Sequence, residues 1–150
     1  MYYRVFPPVC GEFGPQTKRI VTANPQTYTF VHFVFDRWPD DLVTSHPVLI
    51  ANVELAAALA VAGCTGFATK PCEVDKSDYF DYEGRPEGSR LPSFVQMMVN
   101  GAPFRDDFGL SDCDLIASAG AKDILRRHKC DAVNFEPADD LGLRGEPPVR

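Results

Sequence analysis

A segment in the middle of the chain recurs near its end, and no other feature constrains the fold as much. Leu49–Pro71 aligns without a gap on Leu115–Pro137 at a constant offset of 66 residues. Leu49/Leu115, Ile50/Ile116, Ala51/Ala117, Leu59/Leu125, Cys64/Cys130 and Pro71/Pro137 are identical. Asn52 and Ser118 are both side chains that accept a free first-turn N–H and so cap helices. Each copy reads as strand, cap, short helix, strand. Two copies are too few for a solenoid, and no linker-like stretch divides them. The pattern predicts one α+β domain over residues 1–137, followed by a flexible tail over 138–150. Its sheet is expected to be mixed or antiparallel, carrying the duplicated strand–helix–strand unit at 49–71 and 115–137. The two units are expected to pack equivalently on one sheet.

Outside the repeat, Tyr2–Phe6 reads as a strand stopped by Pro7-Pro8, Gly11–Gln16 as loop and Lys18–Ala23 as a short strand. Tyr28–Phe35 is β-branched or aromatic at nearly every position and apolar on both faces, the pattern of one covered strand. Cys72–Leu91 is rich in charge, Gly and Pro and reads as a long loop with room for a short strand. Phe94–Val99 reads as a strand, and Asn100-Gly101 as a type I′ hairpin turn returning along Ala102–Phe104. Asp107–Leu110 is expected to form a further short strand. The helices are placed at Val53–Ala62, closed by Gly63, and at Ala119–His128, with Arg126, Arg127, His128 and Lys129 at its negative end.

A chain of 150 residues can bury a core of its own. No apolar run approaches the roughly 20 residues that span a bilayer. The N-terminus lacks the basic and apolar regions of a secretory signal, so a cytoplasmic location is expected. The net charge of −6 argues against nucleic acid as a partner. Five cysteines, an odd number with no Cys-x-x-Cys spacing, point to reduced thiols. Cys64 and Cys130 sit at the same place in the two copies and read as small buried hydrophobes, with a bridge or shared metal as the sharper alternative.

Reactive constellations are weak. His32 lies in an apolar strand, His46 precedes Pro47, and His128 ends a helix; none is spaced as a ligand pair. The paired aspartates Asp40-Asp41, Asp106-Asp107 and Asp139-Asp140 do not make an acid–base dyad, because neighbours on a strand point to opposite faces. Walker, dinucleotide and nucleophile-elbow motifs are absent from the sequence. No catalytic, cofactor-binding or metal-ligating residue is therefore assigned. Trp38, Tyr79 and Tyr82, set in polar surroundings beside Asp40, Asp41, Asp106 and Asp107, are the candidates for contact with a protein partner.

The order Pro39-Asp-Asp-Leu, Pro47-Val-Leu-Ile-Ala-Asn, Gly63-Cys-Thr-Gly-Phe67, Pro92-Ser-Phe94, Val99-Asn-Gly101, Asp106-Asp-Phe-Gly-Leu and Leu115-Ile-Ala-Ser resembles a family of small bacterial proteins. That family, many of whose members are of unknown function, is grouped with the immunity proteins of polymorphic-toxin systems. The resemblance spans roughly Tyr28 to Phe135. It implies a non-enzymatic protein that binds and neutralises a cognate toxin domain, acidic where the toxin is a basic nuclease. A related myxobacterial-type group carries paired Cys-x-x-Cys-Gly motifs thought to hold metal; this chain has none, so no zinc is carried over. Two other readings stand beside this one: a thiol-dependent enzyme, and a small-molecule-binding or scaffold module.

Overall fold

The computed structural model describes residues 1–20 and 27–138. Of these residues 48% are strand and 13% helix, so the domain is mostly β, which corrects the α+β expectation. In chain order the described elements are β1 (Tyr2–Phe6), β2 (Gly11–Phe13), β3 (Lys18–Ile20), β4 (Thr27–Phe30), β5 (His32–Arg37), β6 (Leu42–Ser45), β7 (Val48–Asn52), α1 (Val53–Val61), β8 (Phe67–Pro71), β9 (Glu73–Asp81), β10 (Phe94–Val99), β11 (Phe108–Ser111), β12 (Asp114–Ser118), α2 (Ala119–Arg126) and β13 (Asn134–Ala138).

The two copies build two separate four-stranded antiparallel sheets, not one. Their orders are β6-β7-β10-β8 and β11-β12-β1-β13. In each, a later or earlier part of the chain inserts between the copy's opening and returning strands, so each copy completes a sheet of its own. The registers correspond residue for residue. Phe94, Val95, Gln96 and Met97 of β10 face Asn52, Ala51, Ile50 and Leu49, as Tyr2, Tyr3, Arg4 and Val5 of β1 face Ser118, Ala117, Ile116 and Leu115. On their other sides Val95 faces Pro71 and Tyr3 faces Pro137. Leu42–Ser45 pairs with Ala51–Val48 as Phe108–Ser111 pairs with Ala117–Asp114. The structural repeat therefore starts at Leu42 and Phe108, seven residues before the sequence identity becomes legible.

One core joins the copies. It is made of matched positions: Leu42 and Phe108, Leu49 and Leu115, Leu59 and Leu125, Met97 and Val5, with Leu55 and Ala121 from the helices. Burying each large side chain of this kind stabilises by about 1.5–3 kcal/mol. A second core, around Phe33, Phe35, Val43, Ile50 and Phe94, lies between the outer face of the first copy's sheet and the sheet β2-β5-β9.

The helix ends follow the capping chemistry. Asn52 accepts from the Glu54 N–H, and Ser118 from the Ala121 N–H. After α1, Gly63 at φ +78° donates to Ala60 O and Cys64 to Leu59 O, the paired bonds of a Schellman close. The last turn of α2 is shorter than expected, ending at Arg126 instead of His128.

Several local expectations are overturned. Tyr28–Phe35 is two strands broken at Val31, because His32 N and O are taken by Thr17 and Gly14, which turns the chain from β3 toward a new sheet. Cys72–Leu91 contains the nine-residue β9, paired in parallel with β5. As an edge strand it needs one apolar face only, and its outward charges hide the alternation. Gly11–Gln16 includes β2, where Gly11 lies so close to β5 that a Cβ would stand 2.0 Å from Val34 O. Asn100-Gly101 makes no hairpin, since β10 already has β7 and β8 on its two sides. Both residues instead donate their N–H to Gly66 O. The returning strand of the first copy starts at Phe67, two residues later than expected. Ala138 pairs with Tyr2, so β13 reaches into the segment read as tail, while 139–150 and Val21–Ala23 of the expected third strand lie outside the described residues.

Candidate functional site

Three of the four aspartates predicted to face a partner, Asp40, Asp41 and Asp107, are structural ties between the two copies. Asp41 and Asp107 sit just before β6 and β11 and are equivalent at the offset of 66 residues. Asp41 Oδ1 accepts from Asn52 Nδ2 (3.2 Å) and Asp107 Oδ1 from Ser118 Oγ (2.6 Å), so each orients the N-cap of its own copy's helix. The second oxygens reach across. Asp41 Oδ2 accepts from Lys129 N (3.0 Å) and Asp107 Oδ2 from Thr65 N (2.9 Å), in the loop that follows the other copy's helix. The Ser118 hydroxyl, with Thr65 assisting, holds the Asp107 carboxyl below its ordinary range. Asp40 is 5% exposed and accepts from Ala132 N (2.7 Å) and Lys129 Nζ (3.0 Å). Asp106 accepts from Ala102 N at 2.7 Å and closes the turn before β11.

The aromatic candidates divide. Trp38 is half-buried, edge-on to Phe80 and under the Arg85 guanidinium at 4.4 Å. Tyr82 packs on Phe80 and accepts a hydrogen bond from Lys76 Nζ at 2.9 Å, which holds its hydroxyl below the usual phenol range. These rings fasten the segment after β9 to the strand itself. Tyr79 alone projects into solvent, 89% exposed.

His32 gains partners that were not visible in the sequence. Its Nε2 lies 2.7 Å from Asp75 Oδ2 and 3.7 Å from Glu73 Oε2, both on β9. The donor atoms of the three side chains fall within 4.8 Å of one another, the one such cluster of potential metal ligands among the described residues. The surroundings do not suit a cation. Gln16 N–H donates to Nδ1 at 3.2 Å, so Nδ1 carries the lone pair and Nε2 the proton that Asp75 receives. A metal at Nε2 would have to displace that proton, and a general base would find neither nitrogen free. Gly14 closes over the ring, where a Cβ would stand 2.4 Å from Nδ1. The arrangement is a satisfied core histidine that ties β5 to β9.

Four of the five thiols are held in their protonated form. Burial pushes Cys72 up to about 11 and Cys130 up to about 12, the latter helped by Asp41 and Asp40, and also raises Cys10 and Cys64. Thiolate, not thiol, is the nucleophile, so these four are poor candidates for catalysis. Cys113 is exposed, in the turn between β11 and β12, and shares the lining of a cavity of about 230 Å³ with His46. Among the described residues no hydrogen bond joins a cysteine to a histidine.

The surface that sequence reasoning missed is the outer side of α1. Val53, Ala57, Ala60 and Val61 are exposed, Val61 at 89%. At the same offset α2 carries Ala119, Asp123, Arg126 and Arg127. Apart from Glu54 in its first turn α1 is apolar round its whole circumference, a composition that belongs in an interior, and here one side of it faces water. Comparing the two copies position by position would have exposed this, since the same place in one fold is charged once and apolar once.

No helix among the described residues is long and apolar enough to cross a membrane. No family model matches the chain, and no curated protein or solved structure matches it.

Proposed function

We propose that this chain is an immunity-type protein, acting in the cytoplasm, that binds and neutralises a cognate bacterial toxin domain without chemistry of its own. The observation that carries this reading is the apolar outer face of α1 on a chain of net charge −6. A fold whose second helix keeps the same side charged has no internal need for that face, and a partner surface would remove it from water. The resemblance in motif order points the same way. The aspartates are spent on internal ties, four of the five thiols are held protonated, and His32 has both nitrogens engaged, so binding accounts for the exposed features better than catalysis. The test is co-expression with the protein encoded by the neighbouring reading frame. Rescue of growth, with one-to-one nanomolar binding by calorimetry, is the expected result. A neighbour that is harmless to cells and does not bind would refute the reading.

A further inference from the structure

We infer that the groove between α1 and strands β8 and β10 docks a basic protein partner, which inserts a long cationic side chain beside an aromatic ring. The inference rests on the binding reading above for the partner's identity, and on the internal repeat for its chemistry. The groove encloses about 480 Å³ and is bordered by Val53, Ala56, Ala60, Thr69 and Val95.

The second copy shows what fills this place. There Lys122 Nζ stands 3.7 Å from the centre of the Tyr3 ring, and the Arg126 guanidinium 5.3 Å from that of Phe135. The offset and the strand register give the counterparts directly. Lys122 corresponds to Ala56, Arg126 to Ala60, Phe135 to Thr69 and Tyr3 to Val95. All four counterparts are smaller and all four border the groove. At these four positions the first copy therefore presents the same backbone frame without the cations and rings, and Phe67 is the one aromatic residue on the groove's lining.

Charge selects the occupant. α2 has Arg126 in its last turn, against the negative end of the helix dipole, whereas α1 has no basic residue there and Glu54 in its first turn. Among the described residues no basic side chain borders the groove, so groove set against groove in an isologous pair would bring no cation from those residues to it. An arginine or lysine arriving from a basic partner meets the carbonyl end of α1 and lays its aliphatic stem along the alanines.

The test is titration of the isotope-labelled protein with the capped tetrapeptide Tyr-Arg-Phe-Lys, followed by amide NMR, with Tyr-Glu-Phe-Glu as the anionic control. Saturable shifts confined to α1, β8 and Val95, given by the cationic peptide only and abolished by Ala60→Arg, are expected. Val95→Tyr, which fills the groove from its strand side, serves if Ala60→Arg does not fold. Absence of saturable shifts on α1, an equal response to the anionic peptide, or an unchanged response in both variants would overturn the proposal. So would peptide-independent dimerisation abolished by Ala60→Arg, which would assign the groove to a second copy. Calorimetry against the neighbouring reading frame's product separates the two readings. Loss of at least about 30-fold in affinity with Ala60→Arg, the size of a hot-spot effect, supports both. Binding retained within about threefold leaves immunity standing and overturns the groove. A saturable peptide response with no binding to that product keeps the groove and removes immunity.

Discussion

Asp107→Asn tests the tie between the copies. In the wild type its carboxylate accepts the Ser118 hydroxyl at 2.6 Å and the Thr65 N–H at 2.9 Å. Hydrogen bonds to a charged acceptor contribute about 1.5–3 kcal/mol each. The amide keeps one oxygen, which must turn to the Thr65 N–H, since two donors cannot face each other. Its NH₂ then points at Ser118 Oγ, whose own proton loses its acceptor. One charge-assisted bond is lost and one weakened, at a half-buried site where water offsets part of the cost, so about 2 kcal/mol is expected. For a domain of this size that lowers Tm by about 4–8 °C. The deficit depends on pH. A carboxyl held below its ordinary range stabilises the fold fully above the unfolded value of about 3.9, and the contribution is lost as pH falls through the lower folded value. Urea denaturation of both proteins at pH 7 should show the full gap, and the gap should close as the wild type protonates in acid. A variant within about 0.5 kcal/mol of wild type at pH 7, or a gap unchanged by acid, would refute the tie.

Three further outcomes follow from the packing. Gly101→Ala would place a Cβ 2.3 Å from Phe108 O and 2.5 Å from Gly66 Cα, and should cost at least about 2 kcal/mol in chemical denaturation, whereas a true hairpin glycine there would show only its turn preference. Leu125→Ala, at a fully buried core position, should cost about 3 kcal/mol, against less than about 0.5 kcal/mol for Val61→Ala on the exposed face of α1. Thiol titration near neutral pH should modify Cys113 first and leave Cys130 and Cys72 unmodified until denaturant is added; rapid modification of Cys130 in the native state would contradict its burial.

Features that depend on near neighbours in the chain were legible in the sequence. Asn52 and Ser118 as caps, Gly63 as the left-handed close and Phe94–Val99 as a strand each follow from a few adjacent side chains. Misreadings arose where pairing is distant. Glu73–Asp81 looks like loop because an edge strand carries charge on its solvent side, and its partner β5 lies some forty residues away in sequence. Asn100-Gly101 looks like a hairpin turn because the local chemistry is right, and only the occupied flanks of β10 forbid it. The internal bonds of the candidate aspartates were hidden for the same reason. Asp41 and Asp107 are polar and adjacent to other charges, which suits a surface, yet their acceptors are used by loops at Lys129 and Thr65.

The repeat itself was determined by sequence alone, because identical apolar positions and caps impose the same local strand and helix in both copies. That the copies form two sheets was decided by tertiary structure, since the inserted strands β10 and β1 come from outside the repeated segments and pair by backbone groups that every residue shares. The contrast between a filled groove on one copy and an open one on the other belongs to both levels. The residue types are written in the chain, but only the shared register brings Tyr3 and Phe135 under Lys122 and Arg126, and leaves Val95 and Thr69 beside two alanines.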